Sequence, residues 1–418
     1  MEKTIKDKIQ MSAIVLAIAM IFLITFFNIR GSVRLIVVAG FMAIFVLQPL
    51  NMKIAMLFYI SAFTADLGVS FGVPAISVLQ LFCIVHFLYR RNLQIDIGFA
   101  VCTLTIFISQ IYSMFMCRQD MKNVIVFLVN FFLMYLVYTE MKETDVHQYR
   151  IALTLYVVGV FAAVLAGIYR RGSDVESWVR FKGIWTDPNF MGMFCVLACC
   201  AVLSLAKGKA RRWIIAFPVL VLMVYGGYLT QSRTFIYACG ILILVYMFNV
   251  LTDSKISAIK KIFIALLLIL AAFFVYNKLL INVVEQRGIT SSVGGEDWTN
   301  GRLSLTKYNF EVWSKNVFTM LFGYGVGNSQ NYTSHVSHNT YADLLFELGL
   351  IGLIAIADFF VVRLNEINWK KGKIYYVIIA LYAATLSMQS TDMLYLFLGL
   401  LSFQFKENDC TLSREERI

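Results

Sequence analysis

Residues 213–250 read WIIAFPVLVLMVYGGYLTQSRTFIYACGILILVYMFNV, an apolar run whose one polar cluster is Thr230-Gln231-Ser232-Arg233. A helix crosses a hydrocarbon core about 30 Å thick with roughly 20 apolar residues. This run is nearly twice that, so it divides into two spans joined by a polar turn at one membrane face. An ordinary turn accounts for Gln231 and Ser232. Arg233 asks for more, because a guanidinium costs about 2.5–3.5 kcal/mol at the bilayer centre and less at the interface, where its stem can snorkel. A cation kept at that edge is a candidate for anion binding.

The same pattern fills the chain. Of 418 residues, 60% are apolar, 15% aromatic and 15% charged, with a mean hydropathy of +0.74; soluble domains carry about 45–50% apolar and about 25% charged residues. A water-soluble enzyme, a disordered protein and a secreted disulfide scaffold are excluded. The expected fold is an all-α, polytopic integral membrane protein of about 12–14 transmembrane helices. Candidate spans are 11–27, 33–50, 54–67, 73–89, 95–116, 123–139, 151–169, 189–206, 213–230, 233–251, 262–281, 339–362, 374–390 and 392–405, the third and last being short. No internal repeat is visible. Lys3, Lys6 and Lys8 before the first span resemble a signal peptide, but no small-residue cleavage site follows, so that span is expected to be retained.

Net charge +11 does not point to nucleic acid, because the basic residues are scattered in short clusters between apolar runs. Such clusters orient a membrane protein, whose cytoplasmic loops hold the excess of Lys and Arg. With both termini in the cytoplasm, 22 of the 36 basic residues fall inside and 14 outside. The chain then divides into helices and loops over 1–281, with an external loop at 170–189; a large extracytoplasmic loop at 282–338; and C-terminal helices with a short cytoplasmic tail at 339–418. Within the large loop, Arg302 to Asn316 has an amphipathic pattern, with Leu303, Phe310, Trp313 and Val317 on one stripe. Such a helix lies on a membrane surface or caps a cavity.

Polar residues collect on the external side. Asp187 before Pro188 has the pattern of a helix N-cap, beside Arg180 and Asn189. Gly323, Gly325 and Gly327 have the wrong spacing for a dinucleotide loop and read as a flexible connection where backbone meets backbone. His338 stands at the mouth of a helix that carries Asp343, Glu347 and Asp358 within about 60° of one another on a regular wheel. Carboxylates on a membrane helix face the bundle interior or a wet cavity. His335 and His338 lack a third partner for a metal, and Cys195, Cys199 and Cys200 lack any nearby His or carboxylate, so no metal or cofactor is expected. The cysteines read as small buried hydrophobes.

In order, Arg180 with Asp187-Pro188-Asn189, Thr230-x-Ser232-Arg233, Asn300-Gly301-Arg302, Phe322-Gly323-x-Gly325 and His338-Asn339-x-Tyr341 with Glu347 and Gly349-x-x-Gly352 resemble the bacterial O-antigen ligase and polymerase family. The resemblance covers about Val179 to Leu353. It implies metal-independent glycosyl transfer on the outer face of the cytoplasmic membrane, from a polyprenyl-pyrophosphate-linked oligosaccharide to an acceptor hydroxyl, for O-antigen, capsule or exopolysaccharide. Arg180, Arg233 and Arg302 would hold the pyrophosphate, and His338 would be the general base. On this reading His338, Arg233 and Arg302 are catalytic, while Arg180, Asp187, Asn189, Ser232, Asn339, Tyr341 and Glu347 bind substrate. A flippase and a chain-length regulator are the expected protein partners. A polymerase is favoured over a ligase, because neither the long loop nor the N-terminal helices show another specialisation. A transporter or flippase of lipid-linked sugars is the competing class; it would carry intramembrane charges along a path through both halves, whereas the first half reads as almost free of them.

Overall fold

The computed structural model describes residues 2–67, 69–70, 73–143, 146–170, 180–206, 210–252, 257–275, 302–335, 337–364, 369–389 and 391–400. Residues 276–301, which include the start of the large external loop at 282–301, residues 171–179 and the tail from 401 therefore lie outside the described residues.

The first half runs α1 (Glu2–Phe26), α2 (Ser32–Val46), α3 (Leu50–Ile60), the short α4 (Thr64–Leu67), α5 (Ala75–Arg90), α6 (Ile97–Met116), α7 (Met121–Glu143) and α8 (Val146–Arg170). Then come α9 (Pro188–Ala206), α10 (Trp213–Leu229), α11 (Arg233–Thr252) and α12 (Ala258–Val275). The rest comprises α13 (Arg302–Trp313), α14 (Val317–Phe322), α15 (Ser329–Thr333), α16 (Thr340–Leu364), α17 (Trp369–Ala383) and α18 (Asp392–Leu400). Among the described residues the only sheet is a pair of two-residue strands, Val69 opposite Pro74 and Ser70 opposite Val73. Five helices, 97–116, 121–142, 146–170, 188–206 and 340–362, are long and apolar enough to cross a membrane, and shorter apolar helices surround them. The protein is an all-α polytopic membrane protein.

α9 runs through the middle of the helix bundle, with Met191, Met193, Cys195, Val196, Leu197 and Ala198 fully buried. Lipid tails are as apolar as Leu, so close fit rather than hydrophobic exclusion holds such helices together. Aromatic rings supply much of that fit: Phe397 meets Tyr156 edge-on at 4.8 Å and Phe58 at 5.4 Å. Small residues supply the rest. A Cβ on Gly167 of α8 would stand 2.7 Å from the Cα of Gly183, so the missing side chain lets the segment before α9 lie flat on α8.

Three features depart from the sequence reading. First, the half before α9 does carry buried charge. Lys53 meets His86 Nδ1 at 2.8 Å, Glu140 pairs with Arg90 at 2.9 Å and Arg91 at 3.7 Å, and Asp66 pairs with Arg170 at 2.7 Å and Arg34 at 3.8 Å. Arg170 also donates to the Thr25 carbonyl. These groups sit near helix ends, where a partner and the interface offset the cost of burial. Second, the amphipathic helix stops at Trp313, because Asn316 caps a new helix by accepting the Phe318 N–H at 2.8 Å. Its buried face is Asn309, Val312 and Trp313, of which Val312 and Trp313 cluster with Tyr324 and Phe346, while Leu303, Phe310 and Val317 are exposed. Third, α16 breaks at Gly349 (φ 65°, ψ −176°), which ends the regular wheel; Asp343 and Glu347 are buried, and Asp358 beyond the break is exposed.

That break is where the glycine loop docks. A turn of helix lost at Gly349 frees the carbonyls of Phe346 and Glu347 from their usual partners four residues on. The N–H groups of Tyr324 and Gly325 take them, each at 2.9 Å. Gly323 (φ 78°) and Gly349 lie back to back: a Cβ on either would come within 2.6 Å of the other's backbone nitrogen. The connection brings backbone to backbone as the sequence suggests, but it is buried and clamped rather than flexible. Gln110 of α6 accepts the Val326 N–H at 3.0 Å, and Gln119 donates to the Val326 carbonyl at 3.2 Å and to Gln110 Oε1 at 3.0 Å.

Candidate active site

Four parts of the chain converge at one end of the bundle. The first is the segment 180–187, seated on α8 by Gly183. The second is the turn between α10 and α11, where Gln231 takes a positive φ of 49°. The third is the start of α13, and the fourth is His338, two residues before α16.

Arg180 ties the first two together. Its Nε donates to the Thr230 carbonyl at 3.0 Å and a terminal nitrogen to Asn189 Oδ1 at 2.8 Å, and the backbone follows, with the Phe181 N–H on the Leu229 carbonyl at 3.3 Å. The Ser232 hydroxyl donates to the same Asn189 oxygen at 2.9 Å. Asn189 and Ser232 thus orient Arg180 from beneath. Asp187 caps α9, accepting the Asn189 N–H at 2.6 Å, with Pro188 at the first helical position. Capping does not exhaust its carboxylate, which also acts electrostatically on Arg180, Arg302 and His338.

The charges at this end are mostly of one sign. Burial pulls the Arg180 guanidinium below its ordinary pKa; Asp187 opposes that, and Arg302 and Arg233 add to it. Burial does the same to Arg302, with Asp187 opposing and Arg233 adding. Three guanidiniums therefore share one neighbourhood with Asp187. Held cations of this kind favour an added anion, and a guanidinium's planar fork matches phosphate oxygens bidentately.

His338 borders that cluster in the left-handed region, with φ 54°. Its pKa lies below the usual 6.5, first because burial disfavours the imidazolium and next because Arg302 repels it; Asp187 and Asp343 partly offset both. A neutral imidazole at pH 7 is able to accept a proton.

The remaining predicted residues have other partners. Asn339 caps α16, accepting the N–H groups of Tyr341 at 3.1 Å and Ala342 at 3.2 Å. Tyr341 is exposed and its hydroxyl donates to the Ala380 carbonyl at 3.3 Å. Glu347 is buried a turn below Asp343, with Gln389 donating to it at 3.4 Å. Sequence reasoning missed the Thr230 carbonyl, Ser337 and the Gln110–Gln119 clamp. The signal for the clamp was there, since Ser109, Gln110 and Ser113 interrupt an otherwise apolar helix. Among the described residues, no three His, Cys, Asp or Glu side chains are grouped to hold a metal ion.

Compared with known families, residues 218–357 match the model described as O-antigen ligase. Over that stretch the chain is similar to the O-antigen ligase family. The stretch begins inside α10 and ends within α16, so it contains Arg233, Arg302, His338 and Glu347, while Arg180, Asp187 and Asn189 approach it from outside its limits. No curated protein matches the chain. The match supports a function of the O-antigen ligase and polymerase type, in surface-polysaccharide synthesis.

Proposed function

We propose that the protein transfers a glycan from a polyprenyl-pyrophosphate carrier to an acceptor hydroxyl at the outer face of the cytoplasmic membrane, with both termini cytoplasmic. The observation that carries this reading is the convergence of Arg180, Arg233 and Arg302 on one face with a half-buried, neutral-leaning His338 beside them. The acceptor oxygen attacks the anomeric carbon as His338 takes its proton. The bond from that carbon to the pyrophosphate oxygen breaks on the opposite side, which inverts the anomeric centre. The electron pair leaves on the lipid pyrophosphate, where the guanidiniums meet the growing charge. Arg180 is pre-oriented for this by Thr230 and Asn189, so little reorganisation is needed at the moment of reaction.

For the acceptor, the favoured reading is a second lipid-linked repeat, which makes the enzyme a polymerase working beside a flippase and a chain-length regulator. The family description favours the second reading, a ligase acting on a different acceptor. Both use the same site. The test is a deletion strain complemented with His338→Ala, with His335→Ala and an expression control alongside. Loss of long surface polysaccharide with normal protein level supports the base, since removing one typically costs about 10²–10⁴-fold in rate. Long chains from His338→Ala would remove it from the mechanism. A product of single, unpolymerised units joined to acceptor in the wild type would select the ligase.

A further inference from the structure

A left-handed conformation costs a residue with a Cβ roughly 1–2 kcal/mol, so the neighbours of His338 must hold it there. Ser337 and Asp343 do so. Both are fully buried. The Ser337 hydroxyl donates to Asp343 Oδ1 at 2.6 Å and accepts the Asn339 N–H at 3.0 Å, so one side chain bridges the residues on both sides of the histidine to the first turn of α16. An O–H to carboxylate bond of that length is in the charge-assisted range. The turn itself is pinned from another direction: Thr340 donates to the Leu386 carbonyl at 2.6 Å and accepts the Met388 N–H at 2.9 Å.

We propose that Asp343, acting through Ser337, is the positioning residue that fixes the backbone of His338 and so aims its imidazole at the acceptor hydroxyl. The inference rests on the reading of His338 as general base. It goes beyond it, because a carboxylate that never touches substrate then controls the rate. The charged groups facing the imidazole are Arg302 from α13, Asp187 from the segment before α9, and Asp343 from α16.

Four variants separate the possibilities in one assay of transfer from a purified polyprenyl-pyrophosphate-linked glycan. Ser337→Ala removes the bridge and leaves the carboxylate; kcat is expected to fall between about 10- and 100-fold, the cost of a base misplaced by an ångström or less, with KM for the donor unchanged within about twofold. Ser337→Thr, which keeps the hydroxyl, restores kcat. Asp343→Asn keeps an oxygen for Ser337 but turns the charge-assisted bond into a neutral one, so kcat is expected to fall, though less than in Ser337→Ala, and the acidic limb of kcat/KM moves to lower pH. His338→Ala is the control on the underlying reading. Wild-type kcat in Ser337→Ala, or in Asp343→Asn, overturns the positioning role when His338→Ala is inactive. Activity in His338→Ala overturns the base itself. If Ser337→Ala does not fold, the kcat of Asp343→Asn decides.

Discussion

Replacing Gly349 by Ala tests the junction on which the candidate site is built. A Cβ there would stand 2.4 Å from both the Gly323 nitrogen and the Leu321 carbonyl oxygen, which are backbone atoms with no rotamer to move away. The positive φ of 65° adds roughly 1–2 kcal/mol for any residue with a Cβ, and forcing an extra methyl into a packed contact adds about 1–3 kcal/mol. The expected loss is roughly 2–5 kcal/mol, before any weakening of the bonds from Tyr324 and Gly325 to the freed carbonyls of α16. Gly240 of α11 is the matched control: nothing lies within 4 Å of its missing Cβ and its φ is unexceptional, so Gly240→Ala should be neutral or stabilise by about 0.5–1 kcal/mol. The assay is thermal unfolding of the two variants in one detergent, followed by intrinsic fluorescence. Gly349→Ala should melt well below wild type, and Gly240→Ala at or above it. Equal melting of Gly349→Ala and Gly240→Ala would refute the back-to-back packing of Gly323 and Gly349.

Three further outcomes are expected. Because the His338 pKa lies below 6.5, the base stays neutral and active down to that lowered value, so the acidic limb of kcat/KM in the wild type should fall below pH 6.5; a limb above 7 would exclude His338 as its origin. Arg233→Lys keeps the charge but loses the planar fork, and at about 1.5–3 kcal/mol per charged hydrogen bond it should reduce transfer roughly 10- to 150-fold; equal activity in Arg233→Lys, Arg233→Ala and wild type would reduce Arg233 to a turn residue. A tag after Ser291, which lies outside the described residues, should be reached from outside intact cells and one after Ser257 should not, and the opposite pattern would invert the proposed topology.

The helices were legible because they are written in composition. Each of the fourteen candidate spans overlaps a described helix, and the turn at Thr230–Arg233 follows from a run too long for one crossing. The Asp187 cap was legible too, since capping is local chemistry. What escaped were contacts between residues far apart in the chain. Asp66 pairs with Arg170, and Gln110 of α6 holds Val326; neither residue marks its partner in sequence. The glycines were noticed, but their purpose needed the break at Gly349, which no wheel drawn through 340–364 reveals. That break also explains why three carboxylates placed on one helical face end with two buried and one exposed.

The break in α16 has a consequence for depth. From Leu350 to Leu364 the helix has fifteen residues, which at 1.5 Å each span only about 22 Å, against a hydrocarbon core of about 30 Å. On the proposed topology, the stretch from Thr340 to Leu348 lies partly within the thickness of the membrane rather than above it. On the proposed reading, His338 and the three arginines meet the carrier lipid near the level of the surrounding headgroups, so the donor need not be lifted into water to react. The acceptor sugar has to descend to meet it. Turnover should then respond to the acyl-chain length of the host bilayer, because a thicker leaflet buries the meeting point and a thinner one leaves it wet.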